Sequence, residues 1–183
     1  MYTVRNREHN ECMRSDNLRT VQAPLKQRYR EDPAAALITL SADGELGMDV
    51  SCSVGTGRAL AAAGLHPATG GDGSLVCSGD MLLQALAACA GVTLLAVASS
   101  LELAVTGTVH TEGDLDFRGT LAVDKATPVG FQNIRIRFDL VSDADEEQLS
   151  SLLRLTERYC VVFQTLARPP ELSVTHALAA ASS

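Results

Sequence analysis

The sequence predicts an α+β fold, with antiparallel strands packed on helices. Three stretches predict it. Met81 to Leu101 (MLLQALAACAGVTLLAVASSL) carries no charged residue, and a helix that is apolar on every side must be buried on every side. Phe131 to Val141 (FQNIRIRFDLV) alternates, with Ile134, Ile136, Phe138 and Leu140 on one face and Arg135, Arg137 and Asp139 on the other. That is the pattern of a strand with one wet face. The third stretch, Asp143 to Tyr159, opens like a capping box, with Glu146 three residues after Asp143. Leu149, Leu152, Leu153 and Leu155 then form an amphipathic face.

The remaining elements follow along the chain. Residues 1–20 lack apolar periodicity, and Ala23 to Arg30 predicts a short helix ending before Pro33. Residues 1–34 therefore read as a polar arm and residues 35–183 as the folded domain. Ala36–Leu40 and Leu46–Val54 flank Asp43-Gly44, a hairpin signal. Residues 55–77 form a Gly-rich connector with a helical turn at Ala59–Ala63. Ser78 is the predicted cap of the charge-free helix, with Asp80 facing the positive end of its dipole. Strands are expected at Leu103–Thr111 and Asp116–Val123, before the strand at Phe131–Val141. After the amphipathic helix, Cys160–Phe163 leads into a second helical piece, Glu171–His176 reads as an edge strand, and Ala177–Ser183 as a frayed tail.

The charge-free run is long enough to span a bilayer. However, it is rich in Ala, carries Gln84, Gly91 and Thr93, and lacks flanking Lys, Arg or aromatic anchors, so it reads as a core helix. One small sheet cannot cover such a helix on all sides. The missing cover is expected from a second copy of the chain. The net charge of −7 disfavours nucleic acid or an anionic membrane as partner. Residues 1–33 carry seven Lys/Arg and five Asp/Glu, net +2, which leaves −9 on the remainder. The polar N-terminus shows no secretory signal. Five cysteines without a CxxC pair fit neither a disulfide framework nor a zinc ribbon. The expected setting is the cytoplasm with reduced thiols, and no metal or other cofactor is expected.

Two cysteines carry the chemistry. Cys89 stands midway along the charge-free helix, and Cys160 closes the amphipathic one. A buried free cysteine is by default an inert small hydrophobe. What distinguishes this pair is Arg158 beside Cys160, since a neighbouring Arg favours the thiolate. A thiolate can attack a peroxide oxygen, and a second thiol then traps the sulfenic acid as a disulfide. Cys77, just before the helix start, would be acidified by the dipole if it were more than a loop residue. Cys12 and Cys52 have no assigned role. His66 and Cys77 match no metal-ligand spacing, and His110 and His176 read as surface or edge residues.

The segments CSGDMLLQALAACAGVTLLAV and LTERYCVVFQTL, with the strand block EGDLDFRGTLAVDKATPVGFQNIRIRFDLVSDADEEQLSSLL between them, resemble the OsmC/Ohr family of osmotically inducible and organic hydroperoxide resistance proteins over roughly residues 35–176. The resemblance implies an intertwined α+β homodimer with antiparallel sheets around two central helices and sites at the subunit interface. It implies thiol-dependent reduction of organic hydroperoxides, with Cys89 peroxidatic, Cys160 resolving, and a lipoyl-type dithiol as reductant. Three features depart from the family pattern. Gly79 stands where a Glu would orient an activating Arg, with Asp80 adjacent. The turn Ser41–Glu45 holds no Arg, which leaves Arg28, Arg30 or Arg58. Glu157-Arg158-Tyr159-Cys160-Val161 replaces His-x-x-Cys-Pro. Asp80 and Arg30 are therefore supporting candidates. The alternative reading is a small-molecule binding protein that has lost the activating Glu and Arg. A third is thiol chemistry on another electrophile by Cys89 alone.

Overall fold

The structure is a computed structural model. It describes residues 60–177 throughout, strands at 44–46 and 52–55, and residues 20, 22–24, 27, 31 and 32. Residues 20, 22–24, 27 and 31 are helical, as the short N-terminal helix requires.

Strands β1 (Gly44–Leu46), β2 (Cys52–Gly55), β3 (Leu60–Gly64) and β4 (Val76–Cys77) form one sheet in that order. Pairing is antiparallel from β1 to β3 and parallel between β3 and β4. The expected single strand Leu46–Val54 is thus two strands folded on each other, with Leu46 opposite Cys52 and Gly44 opposite Val54. The predicted strand Ala36–Leu40 lies outside the described residues. Ala59–Ala63 was expected to turn helically. Instead Leu60–Gly64 is a strand, because pairing to β2 on one edge and β4 on the other outweighs the helical preference of three alanines.

Helix α1 (Ser78–Ser100) is capped by Cys77, whose side chain makes no capping hydrogen bond, rather than by Ser78. It is followed by β5 (Val105–Asp114), the single turn α2 (Phe117–Thr120), β6 (Asn133–Ser142), α3 (Glu146–Tyr159) and α4 (Val161–Ala167). The strand expected at Asp116–Val123 is absent. Asp116 accepts the Arg118 N–H and starts α2 instead, the local competition that Asp side chains offer to extended backbone. The capping box of α3 falls two residues later than expected, on Asp145 and Gln148. Glu171–His176, expected as an edge strand, pairs with no strand among the described residues.

Strands β5 and β6 pair antiparallel over their full length, from Val105 opposite Ser142 to Asp114 opposite Asn133. Gly107 has φ +144°, and a Cβ there would lie 2.1 Å from the Asp139 carbonyl oxygen. Only glycine fits this approach of the two strands. The apolar face of β6 covers α1 from one side, while α3 and α4 cover it from another. Leu94, Val97 and Ala98 of α1 meet Leu152 of α3, and Leu86 and Ala90 meet Cys160. The Thr111 hydroxyl donates to the Leu83 carbonyl at 3.0 Å and ties β5 to α1. Within one chain α1 is buried on one face only. Leu82, Ala85, Ala88, Val92 and Leu95 form an exposed apolar stripe at helical spacing, with Val92 70% and Leu95 56% exposed.

Candidate active site

The site is built by a kink. Cys160 has φ −71° and ψ 110°, so it ends α3 and caps α4 in an extended conformation. Its N–H still bonds the Thr156 carbonyl, and its own carbonyl accepts the Gln164 N–H. The first amides of a helix have no partner within it. At α4 these are the N–H groups of Val161, Val162 and Phe163, and they point at sulfur. The Val161 and Val162 amides favour the Cys89 thiolate, and those of Val162 and Phe163 favour that of Cys160.

The two cysteines, 71 residues apart in sequence, come together: Cys89 packs against the cluster that holds Cys160, and each thiol is near enough to shift the other. Burial pushes the Cys89 thiol up, but the Val162 amide, the Cys160 thiol, the Thr93 hydroxyl and the Val161 amide outweigh it and hold Cys89 below the ordinary thiol value. For Cys160 the balance is reversed. Burial pushes it up, and so does holding its proton against Cys89, with only partial relief from the Phe163 and Val162 amides. The pair is therefore polarised, since Cys89 gives up its proton more readily than Cys160. Cys89 is partly exposed and Cys160 is 1% exposed.

The sign of the pH dependence follows. A lowered value means that Cys89 ionises at a lower pH than an ordinary thiol and loses its thiolate only as pH falls through that lower value. A raised value means that Cys160 stays protonated until pH exceeds the ordinary range of about 8.5. Alkylation with iodoacetamide, read by mass mapping, is expected to label Cys89 with a lower pH midpoint than Cys160. The reverse order would contradict the assignment.

Other candidates lie elsewhere. Asp80 is in the first turn of α1, nine residues and about 13 Å along the axis from Cys89. With Cys77, His66, Asp114, Phe117 and Phe131 it lines a separate recess. The His66 ring stacks on Phe117, and its Nδ1 accepts the Ala68 N–H at 3.0 Å. Arg28, Arg30 and Arg58 lie outside the described residues. Arg158 adjoins Cys160 in sequence, yet its guanidinium lies over the Tyr159 ring at 5.7 Å and is not among the groups that shift either thiol. Among the described residues no group of three His, Cys, Asp or Glu side chains is arranged to hold a metal.

Thr93 and the α4 amides were not expected from sequence. Thr93 is one turn after Cys89 on the same helix, a spacing that sequence does show. The amides depend on the kink at Cys160, which no side-chain pattern announces. Next to the dithiol, a cavity of about 580 Å³ opens between β6 and α3–α4. Leu86, Ile136, Phe138 and Phe163 wall it, Arg137 and Glu157 rim it, and neither cysteine lines it. Leu86 and Phe163 link it to the dithiol, because both also pack in the cluster around Cys160.

A kinked helix pair that brings one thiol against the thiol of a central helix defines an α+β dithiol protein. The comparisons make this specific. The family model described as OsmC-like protein matches residues 71–175, and the chain belongs to that family. Among solved structures, the chain resembles an OsmC-like protein from Mycoplasma pneumoniae, with a TM-score of 0.61 at 16% identity over 72% of this chain and 89% of that one. It also resembles an OsmC-like protein from Vibrio cholerae (0.58, 14%, 70% and 94%). A third is a Legionella pneumophila structure described as an organic hydroperoxide resistance protein OsmC and predicted redox protein (0.52, 18%, 72% and 91%). At these identities the likeness shows the fold. Comparison with curated proteins gave no match. Helix α1, with a mean hydropathy of 2.1 over its most apolar window, is long and apolar enough to cross a bilayer; in this fold it is the core helix.

Proposed function

We propose that this chain is a cytoplasmic, homodimeric thiol peroxidase that reduces organic hydroperoxides, with Cys89 attacking and Cys160 resolving. The packing of Cys89 against the cluster around Cys160 carries this reading, since it sets the more acidic thiol beside one that keeps its proton. The Cys89 thiolate attacks the terminal peroxide oxygen. The O–O bond breaks, the alcohol leaves with a proton, and Cys89 becomes a sulfenic acid. The Cys160 sulfur then displaces hydroxide from that sulfenic sulfur, so that a disulfide and water form. An external dithiol returns both thiols. Thr93 and the amides of α4 help to stabilise the Cys89 thiolate, beside Arg30 as the candidate for the activating role that the family resemblance gives to an Arg. The apolar cavity beside the dithiol suits the organic part of such a substrate, and the description of the Legionella relative points to the same chemistry. Consumption of cumene hydroperoxide by the protein with dithiothreitol tests the reading; a rate equal to dithiothreitol alone would refute it.

The same reading needs a second copy. Cys89 lies between Ala85 and Val92 on α1, at the margin of the exposed apolar stripe. Packing that stripe on its equivalent in another copy would bury it and enclose the sulfur. Val92→Glu with Leu95→Glu is expected to convert a dimer to a monomer in sedimentation and to lower peroxidase activity. A wild-type monomer would contradict the dimer.

A further inference from the structure

The first turn of α1, the end of β5 and α2 enclose a recess of about 360 Å³, apart from the cavity beside the dithiol. Gly79 opens it. A Cβ on Gly79 would lie 3.4 Å from the Phe131 ring and 3.6 Å from both the Cys77 sulfur and the Leu115 side chain, so a longer side chain would extend into the space these groups enclose. The Glu that the family resemblance places at this position would occupy that space, and glycine leaves it open. The walls are aromatic and fixed. Phe117 carries the His66 ring stacked on it, with 4.9 Å between centroids. Phe131 lies on Gly113, where an added Cβ would come within 2.6 Å of its ring. The charge is one-sided. No Lys or Arg lines the recess. The Asp114 carboxylate is taken up by Arg135 and Asn133. Asp80 is exposed and makes no ion pair among the described residues.

We infer that this recess binds a small aromatic amine, with its ring among Phe117, Phe131 and Leu115 and its ammonium group at Asp80. Aromatic faces and an uncompensated carboxylate both favour a cation. The ring gains apolar contact with walls that are already formed, which limits the ordering cost of binding. A volume of this size holds one ring with a short side chain, at the low end of small-molecule sites. Cys77, partly buried in the wall, is a built-in reporter, since a bound ring would shield its sulfur. The inference stands apart from the peroxidase cycle proposed above, which uses neither Cys77 nor Asp80.

Alkylation of the reduced protein by iodoacetamide, with each cysteine read by mass mapping, tests it in the presence of benzylamine or of benzyl alcohol, its neutral isostere. Benzylamine at about four times its Kd is expected to slow labelling of Cys77 about fivefold, by mass action, and to leave labelling of Cys89 unchanged. Benzyl alcohol should need a concentration about three- to fivefold higher for the same protection, as one exposed ion pair allows. In Asp80→Asn the two probes should become equal, a change that general damage to the fold would not produce. In Gly79→Leu neither probe should protect Cys77, because the new side chain takes up the recess. No protection by benzylamine in the wild type, equal slowing at Cys89, or protection kept in Gly79→Leu overturns the site. Equal protection by both probes in the wild type, or a preference kept in Asp80→Asn, overturns the recognition of a cation by Asp80 and the inference with it.

Discussion

Cys89→Ser is expected to reduce hydroperoxide consumption to the uncatalysed background, while the folded protein remains. A serine hydroxyl is not ionised by two amides, a thiol and a threonine hydroxyl, so the nucleophile disappears although its surroundings persist. The partly exposed position limits the cost in stability to about 1 kcal/mol. Cys160→Ser separates the roles. The first turnover should proceed at a reduced rate, because Cys89 loses its neighbouring thiol, and the sulfenic acid should then persist or advance to sulfinic acid under excess peroxide. Stopped-flow consumption of hydroperoxide with mass analysis of the protein distinguishes the two variants. Full activity of Cys89→Ser would end the assignment.

Leu152→Ala should cost about 3 kcal/mol or more. Leu152 is fully buried and joins α3 to Leu94, Val97 and Ala98 of α1, and a Leu-to-Ala change at such a site leaves a cavity as well as removing transfer energy. For a domain of this size that corresponds to roughly 10 °C in Tm, measurable by calorimetry. The effect should reach the site. The position of α3 sets the kink at Cys160, so a loosened contact with α1 should also weaken the packing of the two thiols and raise the alkylation midpoint of Cys89. A loss below about 1 kcal/mol would show that the helix pair is held by something other than this core.

Much of this arrangement is legible in residue order. The alternation in Ile134 to Leu140 gives β6 its inner face, the charge-free run gives α1 with Cys89 on it, and Cys160 falls at the end of α3 as its sequence position implies. The failures have local causes. Asp116 could begin a turn or continue a strand, and its side chain captures the Arg118 amide. Leu60–Gly64 has a helical composition, yet ladder partners on both edges make it a strand. The capping box slid by two residues because Asp145 with Gln148 offers the same chemistry as Asp143 with Glu146. At the site, Thr93 was within reach of helical spacing. The α4 amides were not, since backbone donors carry no residue identity and become available only where Cys160 breaks the helix. Apolarity on every side of α1 was visible in the sequence; that one chain leaves Val92 and Leu95 uncovered required the fold.

The central claim is that two sulfurs 71 residues apart work as one redox unit. Treatment of the reduced protein with one equivalent of cumene hydroperoxide, followed by alkylation and peptide mass mapping, tests it most directly. The expected product is a peptide pair joined through Cys89 and Cys160, formed within a single turnover, with Cys77 still a free thiol. Recovery of Cys89 and Cys160 as separately alkylated thiols, with peroxide unspent or oxidation scattered over the other cysteines, would contradict it.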